Sequence, residues 1–138
     1  MKMSWEEFKQ FQWKYVLAMY FVQKVIWSSD VLHEQEISFM REHFPLELLR
    51  VLHLDEQEQL PQLLEEALAN IEQNLSWDSK MDILGMSFAA AASTGTVTPN
   101  EIAVIQVAAE TLKIPNEILF EYIQHLLDDS MMDASPTR

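Results

Sequence analysis

A chain of 138 residues, 49% hydrophobic and 22% charged, has the size and composition of one folded domain rather than a disordered segment. Without cysteine it has no disulfide, no thiolate nucleophile and no Cys-ligated zinc, and two glycines with five prolines are too few for a β-sandwich, a β-barrel or a phosphate-cradling loop. The net charge of −13 is concentrated, with six Lys/Arg against seven Asp/Glu in residues 1–50 and three against fifteen in 51–138, so nucleic acid and anionic lipid surfaces are poor partners.

The first element starts at Ser4. Ser4-Trp5-Glu6-Glu7 fits a capping box, and acid stands where a basic export signal would begin, so the expectation is a cytoplasmic chain. This helix is expected to reach about Trp27. Its apolar run of eight residues, Tyr15 to Val22, is too short to span a bilayer, so membrane insertion is not expected. Eight of the fourteen aromatics fall in this stretch and read as core packing.

A second helix is expected from His33 to about Glu42, and Pro45 restarts the chain into Leu46 to Leu54. After the polar linker Asp55-Glu56-Gln57-Glu58, Pro61 opens a helix to about Leu75 with Leu64, Ala67, Leu68 and Ile71 on one face. Ser76 caps a helix over about 77–92, whose Gly85, Ser87 and Ala89 to Ala92 permit close backbone approach. Thr98-Pro99-Asn100-Glu101 is a full N-terminal signal, with Thr as cap, Pro at the first helical position and Glu closing the capping box. That helix runs to about Leu112, where Lys113 complements the dipole, and Pro115 opens a last helix to about Asp128. The domain is expected to span residues 1–128, with 129–138 a flexible tail. The fold class is therefore all-α, a compact bundle of about seven helices.

A repeat appears at an offset of 65 residues. Ser29 to Ile37 aligns with Thr94 to Ile102, matching Leu32 to Val97, Glu36 to Glu101 and Ile37 to Ile102, so the chain reads as two related helix–loop–helix hairpins. This arrangement resembles the tellurite-resistance TerB-like family, whose hairpin loops look like Ala-Asp-Gly-x-(Ile/Val)-x-x-x-Glu; the resemblance covers roughly residues 11–128. The family's loop aspartate falls on Ser29 and Thr94, its glycine on Asp30 and Gly95, and its glutamate on Glu36 and Glu101. Both glutamates and one glycine are present, and both loop aspartates are absent. The resemblance implies a non-enzymatic module of stress response, also found in DnaJ-type co-chaperones, that acts through protein partners.

Glu36 and Glu101 stand at the third helical position, where a carboxylate caps the backbone and meets the positive helix end without any ligand. The alternative is a divalent-cation sensor or buffer using Asp30, Glu36 and Glu101, expected to bind weakly because a calcium site needs six to eight oxygens. No cofactor is called for. His33, His43, His53 and His125 lack partners at ligand spacing and read as solvent-facing or singly hydrogen-bonded. No nucleophile elbow or glycine-rich loop supports catalysis, and neighbouring acids such as Glu65-Glu66 diverge by about 100° on a helix. The acidic second half is read either as a solubility device or as a field that attracts a partner with a basic surface.

Overall fold

The computed structural model describes residues 3–28 and 33–133, with side chains through residue 125. Among the described residues it is all-helical: α1 (Trp5–Trp27), α2 (Glu34–His43), α3 (Leu46–Val51), α4 (Leu60–Asn70), α5 (Trp77–Ala92), α6 (Pro99–Thr111) and α7 (Asn116–Asp133). None of these helices is long and apolar enough to cross a membrane.

The N-termini form where short polar side chains take backbone donors that have no partner inside the helix. Ser4 Oγ accepts from the Glu7 N–H at 3.1 Å, Ser76 Oγ from the Ser79 N–H at 3.1 Å, and Thr98 Oγ1 from the Glu101 N–H at 3.2 Å. In α1 the box is altered, because the Glu7 carboxylate accepts from the Ser4 hydroxyl rather than from its backbone.

Two C-termini share one closure. After α3, the Leu54 N–H donates to the Leu49 carbonyl and the His53 N–H to that of Arg50; after α6, Ile114 donates to Ala109 and Lys113 to Glu110. Both are Schellman turns. Each places a non-glycine residue in the left-handed region, His53 at φ 59° and Lys113 at φ 63°, and each sends the next side chain, Leu54 or Ile114, into the core.

Helix α1 is the centre of the bundle and packs against α4, α5 and α6, while α5 lies on α6 and α6 on α7. Its residues Leu17, Ala18, Val22 and Val25 are fully buried, as are Ile83, Leu84, Ala90 and Ala91 of α5. Small residues explain the pairing. Ala90 and Ala91 of α5 are fully buried, and at Gly85 the absence of a Cβ admits the Tyr122 hydroxyl of α7, which would lie 2.7 Å from that atom. The burial expected of α1 and α5 from their apolar sequence is therefore found.

Two sequence boundaries shift. Helix α4 ends at Asn70 rather than near 75. There the Asn70 amide donates to the Glu66 carbonyl, Asn74 and Leu75 both donate backbone N–H to the Asn70 carbonyl, and Gln10 of α1 clamps the corner by donating to the Asn74 carbonyl and accepting from the Ser76 N–H. Asparagine side chains compete with helix bonding, and here a long-range glutamine rewards the exit. Helix α7 continues to Asp133, past the boundary set at 128, because no Gly or Pro interrupts the chain before Pro136. Residues 134–138 of the expected tail lie outside the described residues. The aromatics of α1 also depart from expectation. Phe21 is buried, but Trp5 and Trp27, at the two ends of the helix, are 70% and 80% exposed, and Phe11 is 41% exposed.

Candidate functional site

The two hairpins place their matching glutamates alike. The Glu36 carboxylate Oε1 accepts from the His33 N–H at 3.0 Å, and the Glu101 Oε1 accepts from the Thr98 N–H at 2.8 Å. Both side chains are buried, at 0% and 2% exposure, although glutamate is rarely so. The reason is the helix start itself, which supplies a donor and a positive dipole end to each carboxylate. One difference separates them: the Glu36 Oε2 atom is buried with no hydrogen-bond partner.

The loop positions do less. The Thr94 hydroxyl donates to the Thr96 carbonyl at 3.1 Å, which closes a local turn. Gly95 takes φ 92° in open space, so glycine there serves the backbone rather than a close neighbour. Ser29 and Asp30 lie outside the described residues. Among the described residues no group of three or more His, Asp or Glu is placed to hold a metal ion. His33, His53 and His125 are exposed, and His43 stacks on Phe39 with ring centroids 4.1 Å apart.

Acidic residues of the second half serve partly as internal partners of α1. Lys14 pairs with Asp82 at 2.7 Å. Lys9 donates to both Glu66 and the Gln12 side-chain Oε1, the Trp13 indole N–H donates to the same Glu66 oxygen at 2.9 Å, and the buried Gln12 side-chain amide N–H donates to the Leu52 carbonyl at 3.0 Å. This node ties α1 to α4 and to the end of α3. The Lys9 and Trp13 donors hold the Glu66 carboxyl below its ordinary value, against an opposing effect of burial.

A feature that the sequence did not single out is a surface along α1. A cavity of roughly 370 Å³ between α1 and α4 is lined by Val16, Met19, Tyr20 and Gln23 on one side and by Leu60 and Leu64 on the other. A second, of roughly 320 Å³, continues past Tyr20 and Gln23 to Lys24 and Trp27. The two adjoin at Tyr20 and Gln23: the first is a groove between α1 and α4, and the second continues it along α1 alone. Lys24 Nζ stands 5.1 Å from the Tyr20 ring centroid, a cation–π contact that leaves the Trp27 indole in water. The signal was present in the spacing: Tyr20, Gln23, Lys24 and Trp27 recur at intervals of three and four, and a stripe that mixes aromatic and polar residues faces a boundary, not a core. Comparisons with family models, with curated proteins and with solved structures find no match to this chain.

Proposed function

We propose that this chain is a non-enzymatic interaction module of the TerB-like type, which holds a protein partner on the groove between α1 and α4. The observation that carries the proposal is the exposure of Trp27 at the mouth of that groove. An indole left in water forgoes burial free energy on the order of 4 kcal/mol, and aromatic anchors beside a preformed groove are the usual centres of protein interfaces. The Glu66 node, which ties α1 to α4 through Lys9 and Trp13, holds the two walls together, as a binding surface requires. The TerB-like part of the proposal rests on the duplicated Glu-capped hairpins. It extends the function to bacterial stress tolerance, tellurite included, in the cytoplasm; growth on tellurite of a strain lacking the chain tests that extension.

The interaction itself is tested by a photo-crosslinking residue placed at Gln23 in the native cell. A discrete adduct that disappears in Trp27→Ala, with none from the same residue placed at Glu110, is the expected result. Adducts that form equally at both positions, or that survive Trp27→Ala, refute the groove.

One observation favours a second reading, the divalent-cation sensor. A buried carboxylate oxygen without a donor, as at Glu36 Oε2, is a place where a cation would satisfy an unmet charge. Each capping glutamate, however, already commits its other oxygen to the backbone. Calorimetric titration should therefore give Ca²⁺ dissociation constants on the order of 10⁻³ M or weaker. A micromolar one-site isotherm abolished by Glu36→Gln would instead promote the sensor.

A further inference from the structure

Resting on the interaction-module reading, we infer that the occupant of the α1–α4 groove is a basic amphipathic helix of a partner protein. Three observations carry the inference: the length of the groove, its backbone and its charge.

The lining runs along α1 from Val16 to Trp27. Those twelve residues of helix extend about 18 Å, enough for three turns of a second helix packed alongside. The apolar side chains offered by the two walls, Met19 and Tyr20 against Leu60 and Leu64, with Trp27 beyond them on α1, suit anchors spaced at three and four residues. Both walls are helices whose backbone groups are bonded internally. An extended segment would find no main-chain partner there, whereas a helix brings its own backbone bonds with it.

The charge selects the sign of the partner. Residues 51–75 carry six acids, Asp55, Glu56, Glu58, Glu65, Glu66 and Glu72, and no Lys or Arg. Asp55, Glu56 and Glu58 are exposed beside Gln57, which lines the groove, and exposed Glu65 follows Leu64 on its α4 wall. A helix with lysines or arginines flanking its apolar face meets these acids on the rim. A second copy of this chain does not fit as well, since it would bring another net charge of −13 to the same surface.

The probe is a fluorescein-labelled synthetic peptide of about 18 residues, with leucines at intervals of three and four and lysines elsewhere, read by fluorescence anisotropy against the full chain. Two controls accompany it: a peptide of the same composition in scrambled order, and one with glutamate in place of every lysine. The expected result is saturable one-to-one binding of the amphipathic basic peptide, about tenfold tighter than the scrambled one, with the acidic peptide not bound. Trp27→Ala should weaken binding about tenfold or more, and the Glu56→Gln/Glu58→Gln pair should weaken it and flatten its salt dependence. Glu117→Gln/Glu121→Gln, on α7, should leave it unchanged. Because Trp27 is 80% exposed its truncation spares the core, and circular dichroism confirms that each variant is folded.

Equal binding of the scrambled peptide, or binding indifferent to Trp27→Ala, overturns the inference and leaves only a generally acidic surface. The failure is separable from that of the underlying reading. A Gln23 crosslink that depends on Trp27, with no peptide binding, removes the basic helix but keeps the module; loss of both removes both.

Discussion

Gly85 and Tyr122 offer a test of how the bundle closes. A Cβ built on Gly85 would lie 2.7 Å from the Tyr122 hydroxyl oxygen and 3.9 Å from the ring carbon Cζ. In isolation, Gly→Ala within a helix is worth about 1 kcal/mol of stability. Here the added methyl must displace a ring carried on two torsions, and overpacking of that kind costs about 1–3 kcal/mol. Gly85→Ala should therefore range from neutral to about 2 kcal/mol destabilising in the native background. Tyr122→Phe removes the offending oxygen and leaves the 3.9 Å contact, which is ordinary van der Waals distance. In that background Gly85→Ala should stabilise by about 1 kcal/mol, a coupling of about 1–3 kcal/mol between the two sites. Urea unfolding followed by circular dichroism at neutral pH measures all four corners of the cycle. The phenol stays neutral under those conditions, because burial first and Asp82 second raise its ionisation above the ordinary value of 10.0. An effect of Gly85→Ala that is the same in both backgrounds, within about 0.5 kcal/mol, would show that α7 does not meet α5 at this point.

Three further outcomes follow from the caps and the α1–α4 node. Lys113 holds φ 63° at the end of α6, so Lys113→Gly should be more stable than Lys113→Ala by about 1 kcal/mol, although alanine is the better helix former; thermal melts giving the opposite order would refute the turn. Thr98→Ala should cost about 1 kcal/mol, and Glu101→Ala about 1–3 kcal/mol because it leaves a backbone N–H unpaired, with Glu101→Gln milder than Glu101→Ala in the same denaturant series. Glu66 ionises below its ordinary value near 4.5 in the folded chain, so its contribution is fully present above that pH and is lost as the pH falls through the lower folded value. The increment is small, since the side chain is 38% exposed, and Lys9→Met should reduce it in melting temperatures followed from pH about 6 to about 3.

The sequence alone carried every element whose ends are set by neighbouring residues. Ser76 and Thr98 start α5 and α6 where the pattern places them, because a cap is a contact between a side chain and a backbone N–H three residues away. The Glu36 and Glu101 capping roles were legible for the same reason, and the 65-residue offset was visible without coordinates. The end of α4 was not, since it depends on Gln10, some 60 residues earlier, reaching the Asn74 carbonyl and the Ser76 N–H. Nor was the left-handed Lys113, for which lysine gives no local sign; the core burial of Ile114 draws the chain through that conformation.

The candidate groove divides in the same way. The spacing of Tyr20, Gln23, Lys24 and Trp27 puts them on one face of α1, but hydrophobicity alone assigned its aromatics to the core and the stripe went unread. Exposure is a property of what stands opposite. Only the packed bundle shows Val22, Val25 and Ile26 buried and Trp27 left 80% exposed, so which part of α1 is core and which is surface was decided by tertiary structure.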